Sequence, residues 1–232
     1  GIAGWFLLLV TGVSSRLIPM FLISKYTNNN LLWQVFYLIQ SALIIFIILF
    51  LCRVNNYFFY IPAALGIIAL IRLGKFLKLS YQKRLRKRVD GPVRLSVTAI
   101  ALMALPLLAI LIILTGVLSD KNMATAIINY GFLIFFGWVT LIILGMTFKT
   151  LPFIIWNEQF RNYTGSRALP QPGDLYHKKL FNYMVWLYIP GFFMFSLGIV
   201  MHIKILLVTA SCILLQSGCC YAVNILLMQR RR

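Results

Sequence analysis

The chain has 232 residues, 61% of them hydrophobic and only 11% charged. That balance excludes a soluble globular domain and points to an integral membrane protein. Its 22 Lys and Arg face 4 Asp and Glu, a net charge of +18, and with no aromatic stacking platform among the bases, nucleic acid is excluded as the partner.

A bilayer crossing takes about 20 apolar residues. Seven segments reach that length, at 1–24, 31–52, 57–79, 95–118, 124–148, 180–201 and 204–228. The first has no basic run ahead of it and no small-residue cleavage site, so it is read as a span and not as a signal peptide. The fold class is therefore all-α, with seven predicted transmembrane helices in a single transmembrane domain over 1–232.

Charge orients these spans. Cytoplasmic loops collect Lys and Arg, and of the 22 bases only Arg53, Lys121 and Lys204 fall on the sparse side. The N-terminus is expected outside and the C-terminus inside. The basic link 75–94 is expected to prolong the third helix until Gly91-Pro92 breaks it. Within it, Lys83, Arg84, Arg86, Lys87 and Arg88 are candidate contacts for anionic lipid headgroups, beside their plainer role as a topology anchor. The loop 149–179 opens with LPFIIWNEQF, too short to cross and suited to the interface, with Trp156 at headgroup depth.

Two spans share a frame. Gly4-Trp5, Gly12, Arg16 and Pro19 recur as Gly137-Trp138, Gly145, Lys149 and Pro152, each displaced by 133 positions. Glycine, tryptophan, a base and proline coinciding in apolar sequence read as an internal duplication. The predicted repeat units are 1–118 and 124–228. Both marked helices run from outside to inside, so the repeat is parallel with a four-helix unit, unlike the inverted repeats of many transporters. Physically, Gly12 and Gly145 permit close helix approach, Trp5 and Trp138 suit the outer boundary, and Arg16 and Lys149 can snorkel, cap carbonyls or pair with an anion.

Catalytic constellations are missing from the sequence. The acids Asp90, Asp120, Glu158 and Asp174 all fall in loops or at span edges, and no paired acids, Ser/His/Asp set or metal-binding motif occurs. His177 and His202 sit at opposite ends of the sixth span and cannot share a metal. The cysteines Cys52, Cys212, Cys219 and Cys220 form no CxxC pair and are expected as small buried apolar residues.

The stretch GIAGWFLLLVTGVSSRLIPM resembles the polypeptide I superfamily of cytochrome c and quinol oxidases, in the part of their signature that follows two histidines. The resemblance implies twelve helices in three arcs of four, a bacterial cytoplasmic membrane, and a longer protein of which these are the later helices. It transfers no haem or copper ligand, because the second copy has Tyr130 and Phe132 where the family's histidines would fall. Haem is left to residues upstream of Gly1, and the expected role is non-catalytic. Two alternatives remain. One is a permease with Gln40, Asn182, Gln216 and Asn224 lining a cavity; the other is a scaffold subunit of a membrane complex.

Overall fold

The computed structural model describes residues 2–22, 24, 28–84, 90–160 and 171–230. Regular structure among them is helical, with one isolated bridge between Ser24 and Arg84. Among the described residues, six helical stretches are long and apolar enough to cross a membrane: Asn29–Leu51, Tyr57–Gln82, Gly91–Leu114, Asp120–Phe160, Lys178–Met201 and Lys204–Gln229. Their outward faces carry Trp186, Leu51 and Leu215, all more than two-thirds exposed. Water tolerates such surfaces poorly, whereas hydrocarbon solvates them, and the helices satisfy their own backbone. The protein is a multi-pass helical membrane protein.

Several boundaries differ from expectation. The first predicted span is helical, as a π turn Ile2–Phe6 followed by α1 (Leu7–Leu22), and Gly4–Leu17 is its apolar stretch among the described residues. Helices α2 (Asn29–Leu51) and α3 (Tyr60–Gln82) match their predicted spans. The basic link does not carry α3 on to Gly91: the helix ends at Gln82, and Gly91-Pro92 opens the next one instead. Proline suits a helix start, where its absent N–H would have no partner. Of the lipid-contact candidates, Lys83 and Arg84 lie just past this end, while Arg86, Lys87 and Arg88 lie outside the described residues.

The fourth span is two helices, α4 (Gly91–Leu102) and α5 (Ala104–Leu114), interrupted at Met103. Pro106 explains the break, since it cannot donate to the Leu102 carbonyl four residues back and its ring crowds that turn. The opposite occurs at Pro152. Helix α6 (Asp120–Phe132), a π segment Leu133–Thr140 and α7 (Leu141–Phe160) form a continuous 41-residue stretch. The predicted loop at 149–179 therefore begins as helix, and LPFIIWNEQF is its last turns; 161–170 lie outside the described residues. A short 3-10 turn (Pro172–Asp174) then leads to α8 (Lys178–Met201) and α9 (Lys204–Gln229).

The chain divides into two compact units, one of residues 1–89 and 100–130, the other of 90–99 and 131–232. In the first, Asn28 caps α2 by accepting the Leu31 N–H at 3.1 Å. Leu31, Val35 and Ile39 of α2 and Ala69, Leu73 and Phe76 of α3 are among its buried residues. In the second, Trp138, Leu141 and Phe148 are buried with Phe181, Met184 and Phe192 of α8.

Helices α8 and α9 form a hairpin turning on His202 and Ile203. His202 adopts a left-handed φ of 56°, and the Ile203 N–H reaches back to the Gly198 carbonyl at 3.2 Å. Glycine allows the close approach: a β-carbon on Gly198 would lie 2.9 Å from Leu207 Cδ2 and 3.2 Å from its backbone nitrogen. Gly198→Ala is expected to destabilise the protein by about 1–3 kcal/mol, seen as a lower unfolding midpoint in detergent. Gly218→Ala, whose methyl meets open space, should leave the midpoint unchanged or raised.

Candidate functional site

Both copies of the shared frame place their Gly-Trp pair in a π turn that leads into an α-helix with a buried proline inside it, Pro19 in α1 and Pro152 in α7. Their surroundings then diverge. Trp5 is 70% exposed, in keeping with a boundary position, whereas Trp138 is 1% exposed and is a core residue, not an aromatic anchor. Gly12 faces open space, so it permits no close contact within the described residues. Gly145 is packed against the Pro92 carbonyl, Ser96 Oγ and the Ser96 backbone of α4, leaving no room for a β-carbon. Gly4 and Gly137 each meet a side chain, with Leu43 Cδ1 at 3.3 Å and the Phe192 ring at 2.8 Å from an added β-carbon.

The two cations differ in the same way. Arg16 is exposed. Lys149 is half-buried and forms an ion pair with Asp90, just ahead of α4. The anion it was expected to seek is thus a carboxylate of its own chain. Asp90 lies close enough to Tyr176 to act on it: burial raises the Tyr176 phenol above its ordinary value, and the charges of Asp90 and Asp174 raise it further. Asp174 accepts a hydrogen bond from Lys178 at 2.8 Å, and this bond holds its carboxyl below the usual range.

Asn224 connects this end of the second unit. It is fully buried in α9; its Oδ1 accepts the His177 N–H at 3.0 Å and its Nδ2 donates to the His177 carbonyl at 3.2 Å. Both faces of its amide are thereby committed to the backbone N–H and carbonyl of one residue. His177 in turn caps α8, its Nδ1 accepting the Leu180 N–H at 3.3 Å, which assigns the ring proton to Nε2. The Phe148 ring sits among Tyr176, Phe181 and Tyr221 at centroid distances of 5.1–5.6 Å, and the Tyr221 hydroxyl meets Thr147 Oγ1 at 3.2 Å.

Deeper in the unit, the π segment offsets the backbone ladder. Thr140 Oγ1 donates to the Phe135 carbonyl five residues back at 2.8 Å, and the Tyr188 hydroxyl of α8 donates to the Phe136 carbonyl at 2.7 Å. Phe132 stacks with Phe136, Phe192 and Phe195 at 4.6–5.5 Å. This aromatic stack occupies a position where the resemblance would put a histidine.

Among the described residues, no group of three or more His, Cys, Asp or Glu is gathered for a metal. His177 spends its Nδ1 on a helix cap, and His202 ends α8 in the turn. Cys52, Cys212 and Cys219 are exposed and Cys220 is half-buried, contrary to the expected burial, and all four are free thiols. Asn182 and Gln216 are exposed on their helices, and Asn224 is committed to the backbone of His177. Searches of known protein families, characterised proteins and solved structures find no match to the chain.

Two outcomes check this geometry. Asn224→Leu leaves the His177 peptide without its partners and is expected to cost about 2–4 kcal/mol, against under about 0.5 kcal/mol for Asn182→Ala, measured as unfolding midpoints in detergent. Lys149→Met takes the Lys149 ion pair away from the Asp90 carboxylate; adding Asp90→Asn should recover at least half of the lost stability, giving a coupling of about 1 kcal/mol in the double-mutant cycle.

Proposed function

We propose that the chain is a multi-pass membrane protein on the arc plan of polypeptide I of the cytochrome c and quinol oxidases, a structural element without redox chemistry of its own. The observation that carries this reading is the shared local geometry of the two frames. Each puts Gly-Trp in a π turn, continues as α-helix, and buries a proline two turns past its second glycine. π turns are rare, and two at equivalent sequence positions support a duplication with both copies crossing in the same direction.

On this reading the N-terminus is outside, the C-terminus is inside, and the membrane is a bacterial cytoplasmic membrane. The second copy serves as a packing hub: Trp138, Gly145 and Lys149 all face the protein's own groups. The first copy keeps Trp5, Gly12 and Arg16 open, where lipid or a further membrane subunit would meet them.

The test is the reduced-minus-oxidised absorption spectrum of the full-length protein, before and after His177→Gln and His202→Gln. Any haem band present should survive both substitutions at undiminished intensity. Loss of a band in either variant would place a haem ligand in this chain and overturn the proposal.

A further inference from the structure

The outer face of α3 changes character along its length. Ile61, Ile68 and Ile71 are 49%, 43% and 64% exposed, and one turn further the same face presents Arg72, Lys75 and Lys78, all exposed. The spacing of these three is i, i+3 and i+6, a rise of about 9 Å along one side of a helix. The packed side, with Ala69, Leu73, Phe76 and Ser80, lies roughly opposite. None of the three cations has an ion-pair partner among the described residues.

Their depth makes the arrangement costly without an anion. The span begins at Tyr57, beside Tyr60, and tyrosines favour the interface. A hydrocarbon core of about 30 Å then takes about 20 residues, which sets Arg72 and Lys75 inside the far hydrocarbon boundary and Lys78 at it. Their side chains must reach outward to the headgroup layer, and an intramembrane charge calls for a partner there. Arg84 is held differently, donating to the Tyr81 carbonyl at 2.9 Å with its guanidinium 3.7 Å from the Tyr81 ring centroid.

We propose that Arg72, Lys75 and Lys78 form a site for the phosphodiester headgroup of an anionic phospholipid, whose acyl chains lie along Ile61, Ile68 and Ile71. Charge selects the headgroup, and the continuous apolar face selects a lipid over a soluble phosphate or an acidic peptide. The inference rests only on the membrane location of the protein and is independent of the oxidase-like reading.

Native mass spectrometry of the full chain, released from nanodiscs containing phosphatidylglycerol and phosphatidylcholine in equal parts, tests it. The wild type should retain phosphatidylglycerol selectively, and inorganic phosphate should not displace it. With about 1 kcal/mol per basic residue, Lys75→Gln should weaken retention about fivefold and the triple variant R72Q/K75Q/K78Q about a hundredfold. The triple variant K121Q/K179Q/K204Q removes equal charge elsewhere and should retain the lipid. Equal loss in both triples would reduce the effect to net charge and overturn the proposal, as would displacement by phosphate. If the first triple does not fold, Lys75→Gln alone decides: unchanged retention overturns the site.

Discussion

The second unit depends on keeping a backbone satisfied while its longest helix is disturbed twice in an apolar phase. In hydrocarbon an unpaired carbonyl has no water to turn to, and each costs several kcal/mol. The π segment Leu133–Thr140 shifts the ladder, and the hydroxyls of Thr140 and Tyr188 meet the Phe135 and Phe136 carbonyls. One of these bonds comes from α8, so the disturbance in one helix ties down another. Ser217 of α9 does the same for the Met184 carbonyl of α8, at 2.9 Å. The polar chemistry of the unit is spent largely on backbone, which is why so little of it converges on a site.

Close packing follows from the same economy. Within a bilayer the hydrophobic effect does not draw helices together, and contact area between small residues does. Gly145 against α4, Gly137 against Phe192 and Gly198 against Leu207 are places where a methyl would force atoms apart. The ion pair of Lys149 with Asp90 lies one helical turn beyond the Gly145 contact and joins the same two parts of the chain. A cation that could snorkel, cap carbonyls or pair with an anion thereby becomes an internal fastening.

The apolar content of the chain was legible from sequence because length and hydropathy alone identify crossing helices, and α2, α3, α8 and α9 fall close to their predicted ranges. Proline was read less well. Pro152 fell in a predicted loop but is buried in a helix that runs on to Phe160, whereas Pro106 breaks its helix at Met103. The same residue acts differently because the neighbours that compensate for a lost hydrogen bond are distant in sequence. For that reason too, the roles of Asn224 and Asp90 were out of reach, since their partners lie 47 and 59 positions away. The repeated frame marked where the helices would be locally alike, and not that one copy would be packed in a core while the other stayed open.

The central claim is that the two frames are copies crossing the membrane in one direction. It is tested most directly by thiol labelling in a background where Cys52, Cys212, Cys219 and Cys220 are serine. Single cysteines at Arg16 and Thr150, both exposed positions at matching ends of the two frames, are treated with a membrane-impermeant maleimide. Both should be protected in intact cells and labelled in inverted membrane vesicles. Labelling of one from each side would make the two helices antiparallel and contradict the duplication on which the account rests.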